Sequence, residues 1–123
     1  MFCKRYNLSA TDIIASYAVP KVLLPMPPVG YTNKIVNIAI SYNYGTTPFA
    51  GGGALYFSEA GRQPQFFDGS ILQKVASTYR MATPSVVAPV DLTMDLVLST
   101  QALQSAGDGA FVILVSYVVV QIT

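Results

Sequence analysis

Apolar and polar residues alternate most cleanly from Lys34 to Tyr44. There Val36, Ile38, Ile40, Tyr42 and Tyr44 fall on one side, and Asn37, Ala39, Ser41 and Asn43 on the other. A period of two sends successive side chains to opposite faces, so the segment predicts a half-buried strand. Val90 to Leu98 has the same form, with Val90, Leu92, Met94, Leu96 and Leu98 expected inward and Asp91, Thr93 and Asp95 outward. Phe111 to Ile122 (FVILVSYVVVQI) is apolar on both sides. Phe111, Ile113, Val115, Tyr117 and Val119 share one face, and Val112, Leu114, Val118 and Val120 share the other. Its β-branched and aromatic residues favour strand over helix. Leaving either face in water is costly, because each fully buried Val, Ile or Phe is worth about 1.5–3 kcal/mol relative to exposure. One face is expected to pack on an opposite sheet. The face of Phe111, Ile113, Val115, Tyr117 and Val119 is expected to meet a second copy of the chain.

The remaining elements are shorter. Val22 to Leu24 predicts a brief strand, which Pro25, Pro27 and Pro28 end by withholding ladder donors. In AISYNYGTTPFAGGGALYF (Ala39 to Phe57) a glycine-rich linker leads into a further strand over Ala54 to Phe57. Within an N-terminal segment of residues 1–16, SATDIIAS offers Ser9 or Thr11 as an N-cap and Asp12 in a first turn, which predicts one short helical turn. Asp68-Gly69 is a dipeptide that tight hairpin turns favour. From Arg62 to Pro89 the alternation is weak, and one or two irregular strands are expected there. No stretch sustains a 3.6-residue period. Short strands separated by turn signals imply an all-β fold, an antiparallel sandwich or barrel, in a single domain over residues 1–123.

Charge sharpens this picture. Only 11% of the 123 residues are charged and 52% are hydrophobic, against about 25% charged in ordinary domains. Such a chain is expected to hide surface against copies of itself or a larger partner. Seven basic and six acidic residues give a net charge of +1, and Lys4-Arg5 is the one basic pair. Gripping a phosphate backbone takes clustered cations, so nucleic acid is not an expected partner. The longest apolar run, Ala110 to Val120, is interrupted by Ser116 and falls short of the roughly 20 residues a spanning helix needs, so no membrane is expected either. The start, MFCKRYNLSATDII, has no apolar core behind its positive charges, and no secretory signal is expected. With Cys3 as the single cysteine no intramolecular disulfide forms, in keeping with synthesis in a reducing cytoplasm.

Catalytic chemistry finds little to work with. The absence of histidine removes the commonest general base and metal ligand, and with them Ser-His-Asp triads and ordinary zinc sites. On one continuous strand, Asp91 and Asp95 stand about 13–14 Å apart, beyond the roughly 5–9.5 Å separating the carboxylates of glycoside hydrolases. A solvated outer face is expected for both. No Gly-Lys-Ser/Thr follows Gly51-Gly52-Gly53, so the run reads as a hairpin connection instead of a phosphate loop. Asp108, between Gly107 and Gly109, lacks the companion oxygens of a calcium site and reads as a turn. Cys3 has no base beside it. Eight tyrosines and six phenylalanines could line a sugar-binding surface, but several occupy inward positions, where core or subunit contact is the better reading. No enzymatic activity, cofactor or metal is expected.

From about Ser9 to the C-terminus, the order of features resembles a family of small virion proteins of tailed bacteriophages. SATDIIAS precedes PKVLLPMPPVG, which is similar to the family's valine-leucine-proline-alanine-proline-glycine element. KIVNIAISYNYGTTPFA is similar to its tyrosine-glycine-threonine-threonine strand and turn, and GDGAFVILVSYVVVQIT to its terminal Gly-Asp-Gly strand. Arg62 to Pro89 carries no matching element. The resemblance implies a jelly-roll-like β-sandwich that assembles as a trimer on the particle, as a capsid decoration or cement protein, a head fibre or a tail fibre. Its implied partners are itself and other virion proteins, such as the major capsid protein or a tail component. It implies no catalytic residues. A tail-fibre or receptor- and carbohydrate-binding module is the alternative, and aromatic rings presented on loops such as Tyr44 to Phe49 would mark it.

Overall fold

The computed structural model describes residues 1–85 and 90–122. The chain forms an antiparallel β-sandwich of two five-stranded sheets. The first sheet holds β1 (Phe2–Leu8), β3 (Tyr31–Asn43), β6 (Thr78–Met81), β8 (Val90–Leu92) and β10 (Ala110–Gln121). Its order is β1-β10-β3-β6, with β8 also paired to β3. The second holds β2 (Lys21–Leu24), β4 (Leu55–Glu59), β5 (Pro64–Asp68), β7 (Thr83–Pro84) and β9 (Leu96–Thr100), in the order β2-β9-β4-β5-β7. A short helix α1 (Ala10–Ala15) and a 3-10 turn (Ile71–Gln73) complete the described elements. The core between the sheets draws Ile38, Ile40, Phe111 and Ile113 from one and Leu55, Phe57, Phe66 and Leu98 from the other.

Helix α1 starts at Ser9, whose hydroxyl accepts from the Asp12 N–H while the Asp12 carboxylate accepts from the Ser9 N–H. This reciprocal capping box satisfies two helix-end donors. No element was predicted for the segment before it, yet Phe2–Leu8 pairs residue for residue with β10. Only Leu8 is buried there, and Lys4 and Arg5 interrupt the apolar alternation. Charges on an exposed edge strand discourage pairing with other chains, and they also erase the strand's signature.

Four expectations change in detail. Along β3, Ile38, Ile40 and Tyr42 face inward as expected, but Ile35 takes the next core position and Val36 is half-buried. Opposite Ser116 and Tyr117 the register shifts, so that Asn37 and Ile35 are partnered and Val36 is the extra residue. A bulge inserts one residue and inverts the alternation beyond it. The expected single strand Val90 to Leu98 is two strands, one in each sheet, and Met94 between them is 41% exposed. Backbone amides freed by the break are taken by Glu59, whose buried carboxylate accepts from Thr93 N at 2.8 Å and Met94 N at 3.1 Å and pairs with Arg62 at 3.2 Å. Asp68-Gly69 does not make a tight hairpin. Asp68 closes β5 and accepts from Ser70 N and Ile71 N, capping the 3-10 turn. Between Arg62 and Pro84 there are three short strands, where one or two were expected; residues 86–89 of that stretch lie outside the described residues.

Candidate functional site

The Gly- and Thr-rich stretch after β3 and the Gly-Asp-Gly stretch before β10 meet at one end of the sandwich. Asp108 holds them together: its carboxylate accepts from Thr46 N at 2.9 Å, Thr46 Oγ1 at 2.6 Å and Thr47 N at 3.0 Å. A Cβ at Gly45 would push that carboxylate out of place, and one at Gly109 would collide with the Tyr42 ring and the Asn43 carbonyl, so glycine at both positions lets the loops close as they do. Further along, Ser105 N donates to Ala50 O, Gln101 N donates to Ala54 O, and the buried Gln104 donates from Nε2 to Gly52 O at 2.9 Å. The linker is therefore a zipped loop pair.

Hydrogen bonds from the Thr46 side chain and the Thr47 backbone hold the Asp108 carboxyl below its usual range. A folded-state value lowered in this way adds stability above the ordinary carboxylate value near about 4, and that contribution is lost as pH falls through the folded value. Asp108→Ala is expected to raise hydrogen exchange at the Thr46 and Thr47 amides by roughly tenfold or more while core-strand amides barely change. In the unmodified protein the same two amides should open as the pH is lowered through the carboxylate range. Equal protection in both proteins at neutral pH would show that the carboxylate does not hold the loops.

Aromatic rings at this end turn inward. Phe111 stacks on Tyr42 with centroids 4.7 Å apart, and Phe49, from the loop itself, lies 5.9 Å from Phe111 and 6.1 Å from Tyr42. Phe49 is only 4% exposed, and the Tyr44 hydroxyl is engaged with Thr46 O. Burial, with smaller contributions from Tyr44 and Asp108, pushes the Tyr42 phenol up. The loop presents no open aromatic platform.

The residues expected to form an interface between copies lie elsewhere than anticipated. Phe111, Ile113, Val115 and Tyr117 are 0–7% exposed within the single chain. They line the inner face of β10, a central strand flanked by β1 and β3, so the sandwich's own core consumes them. Val119, at 39% exposed, is the one member of the set with surface to offer. The half-buried face of β10 is the opposite one, with Val112, Leu114, Val118 and Val120. Sequence reasoning saw two apolar faces but had no means of ranking them, since both read alike.

Asp91 lies in the middle of β8 and Asp95 just before β9, so the two do not share one strand. Exposed Asp91 pairs with Lys34 at 3.5 Å, while Asp95 accepts from Met26 N at 2.7 Å. Cys3 is an exposed free thiol. Among the described residues no group of three or more His, Cys, Asp or Glu side chains could hold a metal ion, and no helix is long and apolar enough to cross a membrane.

The fold has a counterpart among viral shells. It is similar to a chain solved in the capsid asymmetric unit of cyanophage Pam1, with a TM-score of 0.65 over 94% of this chain and 82% of that one. Identity between the two is 18%, so the likeness is one of fold. No protein-family model and no curated protein matches the chain.

On the second sheet, pairing aligns Tyr56 with Phe67 and Ser99, and Val97 with Val22, with no charge among them.

Proposed function

We propose that the protein is a structural component of a bacteriophage virion, a capsid decoration or cement subunit or a head-fibre subunit that works as a trimer on the particle. The observation that carries this reading is the fold shared with a cyanophage capsid chain over 94% of the sequence. It is supported by the bond between the tyrosine-glycine-threonine-threonine turn and the Gly-Asp-Gly strand: the two elements of the family resemblance are one physical unit, clasped through Asp108. Its mechanism is adhesion by a prefolded body. A subunit that binds only the assembled shell, or its neighbours on it, favours the assembled state by mass action. No catalytic role is assigned to any residue. A receptor-binding module on a tail fibre is the less favoured reading, because Phe49 and Tyr42 are spent inside the fold.

Virions banded on a density gradient and probed with antibody to this chain test the reading. The chain is expected to band with intact particles, with immunogold label over the head, and particles assembled without it are expected to release their genome at a lower temperature. Recovery of the chain only in the soluble fraction of infected cells would overturn the virion role, and label confined to tail tips would move it to the alternative.

A further inference from the structure

We infer that the outer face of the first sheet, centred on Leu114, is where a second copy of this chain docks. This deepens the reading that the chain works as an oligomer and rests on it, independently of the number of copies and of where on a particle the oligomer sits. Pairing sets Leu114 of β10 beside Ala39 of β3 and Ala39 beside Met81 of β6; one pleat along, Val112 lies beside Ser41 and Ser41 beside Tyr79. Met81 and Tyr79 are 47% and 65% exposed, so the apolar row runs from a half-buried centre to an open flank.

Size and charge both select a second copy as the occupant. Strands of 7, 12, 13, 4 and 3 residues, at about 3.4 Å rise and about 4.8 Å spacing, make a face of about 600 Å² before side-chain relief is counted. Stable interfaces bury about 600–1,000 Å² per partner. The face carries little charge: Lys34 and Asp91, which pairing places together upon it, cancel as an ion pair at 3.5 Å, and Arg5, which pairing sets beside Leu114, is bonded to Asn7 at 3.3 Å. A surface that meets its own copy must not strongly repel itself, and a face with one such exposed cation meets that condition where a densely charged one would call for a partner of opposite sign. The second sheet's uncharged outer face is smaller, set by strands of at most five residues.

Light scattering on the purified chain, at micromolar concentration and without virions, tests the assignment. The unmodified protein is expected to have a mass of more than one chain. Leu114→Lys, and separately the double change Tyr79→Lys with Met81→Lys, are expected to reduce it to the mass of one chain. Because Tyr79 and Met81 are exposed, the double variant should keep its circular dichroism and melting behaviour in the monomer, which separates lost docking from lost folding. Val97→Lys on the other sheet should leave the mass unchanged. An unmodified protein that is a single chain, or folded lysine variants that keep the parent mass, would overturn the proposal. Neither result touches the virion reading, which fails only if the unmodified chain does not band with particles.

Discussion

Truncating Phe111 to alanine is expected to cost about 3–5 kcal/mol of folding stability, which at about 4 °C per kcal/mol lowers the melting temperature by about 12–20 °C. The ring is 1% exposed and stacks on Tyr42 at 4.7 Å, with Phe49 at 5.9 Å. Its strand neighbours are Leu8 on one side and Tyr42 on the other. Removing it leaves a cavity where both sheets, the zipped loops and the end of the N-terminal strand converge, and none of these can collapse inward without distorting the others. The size of the loss alone does not separate a core residue from one at an interface between copies; its concentration dependence does. A core residue lowers the melting temperature equally at high and low protein concentration, whereas an interface residue shows its effect through dissociation on dilution. Thermal melts of Phe111→Ala and the parent, each at two widely separated concentrations, make the comparison. A deficit that grows on dilution, or one of only a degree or two, would return Phe111 to the surface between copies.

The architecture was legible where side-chain alternation is uninterrupted. The strands around Ile38 to Tyr42 and Phe111 to Tyr117, the capped turn at Ser9 and the proline stop after Leu24 all follow from local chemistry, and the two-sheet sandwich follows from their number. What escaped reading is non-local. The bulge at Val36 exists because β10 pairs in one register above it and another below, and the alternation of β3 alone carries no trace of its partner. Val90 to Leu98 kept a perfect period of two across a break. Its middle, Thr93 to Asp95, crosses between sheets while buried Glu59, more than thirty positions away, takes the amides the break releases. In a chain this poor in charge, Glu59 flanked by the apolar Leu55 to Phe57 and by Ala60 was itself the available signal: a carboxylate among apolar strand residues has to be satisfied by something. The candidate site was half legible. Asp108 was placed in a turn, but its grip on Thr46 and Thr47 spans about sixty positions, and only the folded chain brings those loops together.

Asp68→Ala is expected to lower stability by about 3 kcal/mol, the second large effect, and for a related reason. Asp68 is 5% exposed and lies on the inner side of β5. Its Oδ1 accepts from Ser70 N at 3.0 Å and from Ile71 N at 2.8 Å, and faces Arg80 Nη1 at 3.4 Å. Arg80 belongs to β6 in the first sheet and β5 to the second, so this one carboxylate caps a turn and ties the two layers at their margin. Alanine leaves the buried Ile71 amide without its partner and Arg80 without its counter-charge. Asparagine keeps an acceptor for the amides and loses only the charge, so Asp68→Asn should cost clearly less. Arg80→Ala should also cost less than Asp68→Ala, because the guanidinium side chain is 35% exposed and the carboxylate it leaves behind still accepts from two backbone N–H groups. Urea unfolding followed by circular dichroism ranks the three, with Asp68→Ala below Arg80→Ala and Asp68→Asn. If Asp68→Ala and Asp68→Asn unfold at the same urea concentration, the amide bonds contribute nothing and the inter-sheet ion pair alone holds this margin; if both match the parent, the margin is held by apolar packing, and the carboxylate is a passenger.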